Sequence, residues 1–272
     1  MNKIIDMAAG ELVIRADAHS EYDRDYVANC VDVMQKTNAL NVSGSQRHVA
    51  TAAFQAGIAM ASRTWFGNGG AQYKDPNYEG PSDTVFLGCF RTDVLREIGG
   101  YKLLDSDYVN EDAELNTRLL KIRPNSIFVS PRIKVWYYPR KTPFSLWKQY
   151  FFYGKSRKMT QALHPEQQHF RSQIPFLSVA LTLLFCLVDV FFLTKGTLAS
   201  ILIGTGLVIT FGASVSVVMR YLKNFKDEFW RSKQKQPPGI ITRTFSTWFA
   251  ILIMLFAHFS GRLVQEIKMM GK

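Results

Sequence analysis

Apolar and polar positions follow two different spacings over the first 160 residues. Where apolar side chains recur every three or four positions, the pattern predicts helices over residues 2–8, 26–36, 50–62 and 111–121. Short runs rich in β-branched and aromatic residues predict strands over residues 11–16, 40–45, 84–90 and 126–129. Helices and strands that alternate in this way are typical of a layered α/β fold.

The later part of the chain is apolar on every side. Residues 174–194 and 196–219 each form a run of about the 20 residues that a helix needs to cross a bilayer. Asp189 is the one charged residue in these two runs, and its place near the end of the first run predicts that it reaches toward the membrane surface. A third run, 248–259, is shorter, and it either crosses the membrane or lies in the interface. We therefore predict a transmembrane region over 172–265 with two to three helices, in preference to two buried helices of a soluble protein.

Charge and cysteine content add an orientation and a compartment. The formal net charge is +11, and basic residues lie on both sides of the paired runs. Because cytoplasmic flanks retain Lys and Arg, we expect both flanks on the cytoplasmic side of the membrane, near anionic lipid and without nucleic acid as a partner. Three scattered cysteines without metal-ligand spacing fit a reduced, cytoplasmic catalytic portion.

The first candidate site follows the strand at 11–16. Asp17 and His19 stand two residues apart where this strand ends, and ligands of α/β sheets collect at such ends. A carboxylate and an imidazole placed there can both turn toward one divalent ion, which neutralises a diphosphate. Alternatively, Asp17 caps a helix that begins after Glu21.

A second candidate site is the acidic start of the helix at 111–121. Glu111 and Asp112 lie in its first turn, while Leu115 and Leu119 fall on its inward face. The helix dipole favours the ionised carboxylates, and one of them could accept a proton from an attacking hydroxyl. The other interpretation is that these acids merely stabilise the helix.

Five motifs follow one another along the chain: the strand ending in "DAH" (17–19), "FGNGGAQY" (66–73), "SDTVFLGCFR" (82–91), "IGGYKLLDSDYVNEDAELNTRL" (98–119) and "LWKQYFFYGKSRK" (146–158). Together they resemble the family 2 glycosyltransferases, and most closely the membrane-bound, succinoglycan-type glucosyltransferases of bacterial exopolysaccharide synthesis. The resemblance covers residues 2–160 and continues into the membrane hairpin. It implies a GT-A-type, Rossmann-like α/β catalytic domain over 1–160, followed by the transmembrane helices.

The resemblance also implies roles for individual residues. Asp17 would bind a Mg²⁺ or Mn²⁺ ion, with His19 in the position usually taken by a second acid. Asp112 would be the general base, and Glu111 a residue that positions it. The implied substrate-binding residues are Gln149 and Arg157, near the diphosphate or the acceptor, and Asp83 and Gly88, on the acceptor side. The aromatic and basic stretch that holds Gln149 and Arg157 also fits a membrane-interface belt.

Glycines at 67–70 admit two interpretations. Gly69 and its neighbours could let the backbone approach a sugar or a phosphate closely, or they could form a plain turn.

Before the first candidate site, the chain has room for only one helix, whereas the family has several strands and helices there that bind the nucleotide base. We therefore expect an N-terminally truncated catalytic domain that binds nucleotide sugar weakly by itself, or that is completed by a separate chain. Two functions follow as hypotheses. One is inverting transfer of a sugar, expected to be UDP-linked, onto a lipid-linked oligosaccharide. The other is a non-catalytic membrane assembly subunit, or a gene fragment that retains part of the fold.

Overall fold

The computed structural model describes residues 1–102, 108–167 and 173–271. These residues divide into two compact units, and neither unit is one continuous segment. The first contains Met1–Arg47, Ala71–Tyr138 and Thr160–Gln167, and the second contains His48–Gly70, Pro139–Met159 and Gln168–Lys272. The two units interleave along the chain. The domain limits predicted from the sequence, 1–160 and 172–265, remain predictions.

Eight strands and eleven α-helices make up the described chain, with short 3₁₀ turns at Gln72–Lys74 and Pro165–Gln167. The strands are β1 (Leu12–Ile14), β2 (Ser20–Tyr22), β3 (Asn41–Ser43), β4 (Gln46–His48), β5 (Gly80–Pro81), β6 (Cys89–Arg91), β7 (Ile127–Val129) and β8 (Val135–Tyr137). The helices are α1 (Asn2–Met7), α2 (Tyr26–Thr37), α3 (Ala53–Ala61), α4 (Trp65–Asn68), α5 (Thr92–Glu97), α6 (Glu111–Ile122), α7 (Pro143–Leu163), α8 (Ile174–Phe192), α9 (Thr197–Arg220), α10 (Phe225–Phe229) and α11 (Ile240–Met270).

The first unit is built on a mixed five-stranded sheet with the order β1-β6-β3-β7-β5. β3 and β7 pair in parallel, whereas β6 pairs antiparallel with both β1 and β3. A smaller sheet has the order β2-β8-β4. The predicted α/β fold is thus confirmed as a mixed α/β arrangement.

Helices cover both faces of the five-stranded sheet. Successive residues of a strand point to opposite faces, and in β6 Phe90 joins one core while Cys89 joins the other. The Phe90 core includes Leu115 and Leu119 of α6. The Cys89 core takes its helical residues from α2, among them Met34. This layering holds α6, with its acidic first turn, against the face of the sheet that carries Phe90.

The eight elements predicted for the first 160 residues are confirmed, with shifts at their ends. The largest shift is in the strand predicted over 84–90, which is confined to β6. Leu87 and Gly88 interrupt it because both have positive φ, 66° and 134°. A backbone in that conformation cannot continue a β ladder.

The second unit contains the apolar helices. Within the described residues, α9 and α11 are long and apolar enough to cross a membrane, with mean hydropathies of 2.1 and 1.7. The predicted short run at 248–259 therefore belongs to a 31-residue helix, α11. The first predicted run forms α8, whose apolar stretch Phe176–Phe192 is shorter than the other two.

That Asp189 reaches toward the membrane surface stays a prediction, and in the structure its side chain lies against the turn that joins α8 and α9. It is fully buried, and its carboxylate accepts hydrogen bonds from Thr194 and from the backbone N–H of Ala199, at 2.8 Å in the latter case. Ala199 lies in the first turn of α9, where N–H groups have no partner within the helix. Asp189 therefore ties the end of α8 to the start of α9.

Candidate active site

Arg15 brings the two predicted acidic sites together. It follows β1 directly, and the two-residue period of extended chain puts its side chain on the same side as that of Asp17. Its Nε donates to Asp17 Oδ1 at 3.1 Å, and its Nη1 contacts Asp112 Oδ1 and lies 3.5 Å from Glu111 Oε1. Three carboxylates from segments almost a hundred residues apart thus surround one guanidinium group.

The backbone around Arg15 is fixed on both sides. Its N–H donates to the carbonyl of Gly88 at 3.0 Å, and the N–H of Asp17 donates to the Tyr22 hydroxyl at 2.6 Å. Residues 20–22 form β2, and the next helix, α2, begins only at Tyr26. The alternative that Asp17 caps a helix after Glu21 is therefore wrong, because a strand occupies that position and the carboxylate pairs with Arg15.

The acidic turn of α6 is anchored by charges one turn further along. Glu114 has no exposed surface, and Arg118 donates to both of its carboxylate oxygens, from Nε to Oε1 at 2.9 Å and from Nη2 to Oε2 at 2.7 Å. Arg118 also donates to the carbonyls of Ile98 and Gly100, each at 2.7 Å. Burial acts to raise the pKa of Glu114, but the hydrogen bonds and the charge of Arg118 outweigh it and lower this pKa. This clamp fixes α6, and with it the position of Asp112.

The electrostatics single out Asp112 among the three acids. Burial is the largest cause that raises the pKa of Asp112, to about 7, and the carboxylates of Glu111 and Asp17 act in the same direction. Arg15 opposes this rise. The Asp112 side chain nevertheless remains 29% exposed, so that a substrate hydroxyl can reach it. A carboxylate whose pKa lies near neutral pH suits general-base chemistry.

Two further groups respond to the same charges. Burial would lower the pKa of Arg15, but Asp112 and Asp17 outweigh burial, and the pKa is raised. Arg15 is therefore a permanent cation here. Tyr101, whose ring centroid lies 6.0 Å from the guanidinium carbon, has its pKa raised by burial first and by the Asp112 charge second.

The predicted metal ligands are only partly arranged for an ion. His19 is exposed, and its ring contacts the Tyr137 ring edge-on at a centroid distance of 5.1 Å. No group of three or more His, Cys, Asp or Glu residues in the described part of the chain could hold a metal. Mg²⁺ and Mn²⁺ in nucleotide sites, however, commonly take one or two protein carboxylates and complete their shell with phosphate and water. Asp17, which uses only Oδ1 toward Arg15, fits such a site chemically.

The glycines predicted to bind substrate have structural explanations. Gly88 has a φ of 134°, and a Cβ added there would lie 2.5 Å from the Phe90 ring. Gly69 has a φ of 58° and ends α4, which matches the plain-turn interpretation. Their contacts with substrate remain predictions.

The other predicted binding residues lie apart from the acidic cluster along the chain. Asp83 is half-buried between β5 and β6. Gln149 and Arg157 lie on α7 in the second unit, where Gln149 donates to the Tyr153 hydroxyl at 3.0 Å. Residues 103–107 of the longest motif lie outside the described residues.

Sequence reasoning missed Arg15. One signal was available in the sequence. Arg15 comes directly after a strand and two residues before Asp17, and in extended chain the side chains of residues i and i+2 point to the same side.

Among the comparisons with known proteins, the match to one curated relative agrees with the motifs. No family model matches the chain. The solved structure of the mannosyltransferase PcManGT from Pyrobaculum calidifontis, in complex with GDP-Man and Mn²⁺, aligns with 96% of this chain and 65% of its own, with a TM-score of 0.45 and 15% identity. The chain is 31% identical over 178 residues to the succinoglycan biosynthesis protein ExoA of Rhizobium meliloti (strain 1021). This match covers 65% of the chain, which itself spans about half of the relative, 53%. The predicted resemblance to succinoglycan-type proteins is thereby confirmed.

Proposed function

We propose that this chain carries the catalytic centre of a glycosyltransferase of exopolysaccharide or cell-surface glycan synthesis. The reaction is inverting transfer of a sugar from a nucleotide-diphosphate donor to a lipid-linked acceptor, at the cytoplasmic face of a bacterial inner membrane. The observation that carries the proposal is the gathering of Asp17, Glu111 and Asp112 around Arg15. The likeness to a succinoglycan biosynthesis protein supports it.

Asp112 is the general base of this proposal. It accepts the proton of the acceptor hydroxyl while that oxygen attacks the anomeric carbon, on the face opposite the departing diphosphate. The new C–O bond forms as the bond to the diphosphate breaks, and the electron pair leaves with the diphosphate. Because the pKa of Asp112 is about 7, the carboxylate is ionised in a large share of the molecules at neutral pH.

Arg15 and Glu111 position Asp112. The guanidinium holds the carboxylate toward the end of β1, and its charge favours the ionised form. The Glu111 carboxylate lies beside the Arg15–Asp112 ion pair, 3.5 Å from Arg15, and its negative charge partly neutralises that of the guanidinium. Without these two residues the base would be free to rotate away from the acceptor.

Asp17 and His19 are the residues that would hold a divalent ion, Mg²⁺ or Mn²⁺, which when bound neutralises charge on the diphosphate. Gln149 and Arg157 add polar contacts to the diphosphate or the acceptor in this proposal. Asp83 and Gly88 border the acceptor, and the backbone at Gly69 approaches a sugar or a phosphate.

The test is a transfer assay with the full chain in membranes of a bacterial host. Labelled UDP- and GDP-sugars are supplied one at a time, and membranes from cells without the chain set the background. We expect label in the lipid extract for at least one donor, with an anomeric configuration opposite to that of the donor by NMR. Absence of transfer from every donor would contradict a catalytic centre that works without a further chain and would favour the assembly subunit, whereas retained configuration would contradict inversion alone.

A further inference from the structure

Helices α7 and α11 of the second unit touch backbone to backbone. A Cβ added at Gly154 would lie 2.0 Å from the carbonyl oxygen of His258, and one added at Gly261 would lie 1.8 Å from that of Phe151. Only glycine permits so close a crossing. It brings Arg157, one turn beyond Gly154, near Arg262, the neighbour of Gly261.

Positive charge exceeds negative charge at this crossing. Lys158 Nζ lies 2.7 Å from Glu266 Oε2, and Arg262 Nε lies 3.5 Å from Glu266 Oε1. The exposed Arg157 acts electrostatically on Arg262 as well. Lys158 and Arg262 therefore share one carboxylate, and Arg157 is a third cation beside Arg262, so that these four residues carry a net charge of two positive charges.

Arg262 is the buried end of this cluster. It is 4% exposed, and its Nη1 is buried without a hydrogen-bond partner in the described part of the chain, while its Nε faces Glu266. Its guanidinium carbon lies 4.5 Å from the centroid of the Phe176 ring. Leaving guanidinium donors unsatisfied in a buried place is costly, and the planar guanidinium matches the geometry of phosphate oxygens.

The position of the cluster indicates what kind of phosphate it would bind. Arg262 follows the apolar stretch of α11, and its neighbours Arg157 and Lys158 belong to the basic flank before α8, which is expected on the cytoplasmic side of the membrane. Cations next to an apolar helix segment lie at the depth of the lipid headgroups, where the available phosphate groups are those of lipids.

We propose that Arg157, Lys158 and Arg262 form a binding site for the phosphate of a membrane lipid, whose chain lies along the apolar helices. In the proposed function this is the diphosphate of the lipid-linked acceptor, so the identity of the lipid rests on that function. Glu266 is then a competing anion, which the lipid phosphate displaces from Lys158 and Arg262.

Binding can be measured without any sugar donor. The full chain, reconstituted in phosphatidylcholine nanodiscs, is titrated calorimetrically with farnesyl diphosphate, and separately with inorganic pyrophosphate and phosphatidylglycerol. We expect farnesyl diphosphate to bind at least about tenfold more tightly than pyrophosphate, since its isoprenoid chain is buried as well. Equal affinity for pyrophosphate would overturn a lipid site, and equal competition by phosphatidylglycerol would overturn the acceptor assignment.

Two substitutions should act in opposite directions. Arg262→Gln should weaken farnesyl diphosphate binding by about tenfold or more, the usual worth of charge-assisted hydrogen bonds. Glu266→Gln should tighten it, because it frees two cations. Lys148→Gln, an exposed cation on the same helix α7, is the matched control and should leave binding unchanged.

If the cluster only stabilised the fold, Glu266→Gln would lower the melting temperature and would not tighten farnesyl diphosphate binding. That outcome would contradict the proposed binding site. If Arg262→Gln fails to fold, Arg262→Lys and Glu266→Gln carry the test. Lipid binding without sugar transfer would contradict the proposed function alone. Transfer that persists without lipid-phosphate binding would contradict this site alone.

Discussion

Arg15 determines what the three acids around it can do. A carboxylate paired with a guanidinium ordinarily has a pKa far below 7. Burial and two neighbouring acids nevertheless keep the pKa of Asp112 near 7. The charge of Arg15 therefore offsets only part of the rise in the pKa of Asp112 that burial and the two acids cause. Its side chain is 17% exposed, so its charge is screened little by solvent.

The base assignment predicts the behaviour of Asp112→Asn. This change keeps the shape of the side chain but removes the proton acceptor, so transfer should fall by roughly 10²–10⁴-fold while the fold survives. Transfer and melting temperature are measured on the same membranes. Asp93→Asn, which alters an exposed first-turn acid of α5, is the control and should keep full transfer. Near-normal transfer by Asp112→Asn would remove the assignment and direct attention to Glu111.

Arg15 predicts a shift in the pH dependence of transfer. Asp112 is active when deprotonated, so kcat/KM should rise with pH and level off above about 7. Arg15 lowers the pKa of Asp112, and Arg15→Gln should therefore move the rising limb to higher pH. Arg15→Lys keeps the charge and should shift the limb less. A limb that stays in place in Arg15→Gln would show that another group controls the profile.

At this scale the sequence indicated Asp17, Glu111 and Asp112 but not what joins them. Each acid follows a recognisable local pattern, the end of a strand or the first turn of a helix. Their convergence depends on the pairing of β1 with β6 and on the packing of α6, which are long-range contacts that no local pattern encodes.

Among the elements, α11 differs most from its predicted form. Hydropathy alone indicated a largely apolar run of 12 residues at 248–259, because Thr, Ser, Arg and Gln interrupt the apolar pattern on both sides. The helix nevertheless continues from Ile240 to Met270, since several of those residues are buried against other helices of the second unit. Gly57 of α3 is one such contact, where an added Cβ would lie 2.5 Å from the backbone of Ser246. Packing, and not apolar composition, accounts for the ends of this helix.

The α7–α11 crossing predicts that glycine substitutions depend on position. Gly261→Ala forces a methyl group against the Phe151 backbone and should destabilise the chain by about 1–3 kcal/mol, the usual cost of overpacking. Gly204→Ala in α9 meets nothing within 4 Å and should be neutral or stabilising by up to about 1 kcal/mol. Thermal unfolding in detergent compares the two. Equal stability of both variants would contradict the close crossing.

In the molecule as a whole, the acidic residues and the apolar, basic helices belong to different units. The acidic cluster lies in the first unit, and the apolar helices and the basic crossing lie in the second. A net charge of +11 on a chain with two helices apolar enough to span a bilayer favours a surface near anionic lipid. Composition predicted this membrane association, whereas the interleaving of the units follows from tertiary contacts that composition does not encode.

The charge pattern predicts which parts of the chain face which side of the membrane. Basic residues flank the pair α8 and α9, so both outer ends of the pair should stay in the cytoplasm, and the turn at Lys195 should face outward. The native thiols allow a direct test: Cys30 and Cys89 are buried, and Cys186→Ser removes the third. In that background, a membrane-impermeant maleimide added to spheroplasts should label Lys195→Cys and spare Lys223→Cys until the membrane is opened. Proteolysis from outside should likewise leave residues 1–160 intact. Labelling of Lys223→Cys in sealed spheroplasts, or digestion of the acidic cluster, would reverse the topology and separate the proposed base from any cytoplasmic nucleotide sugar.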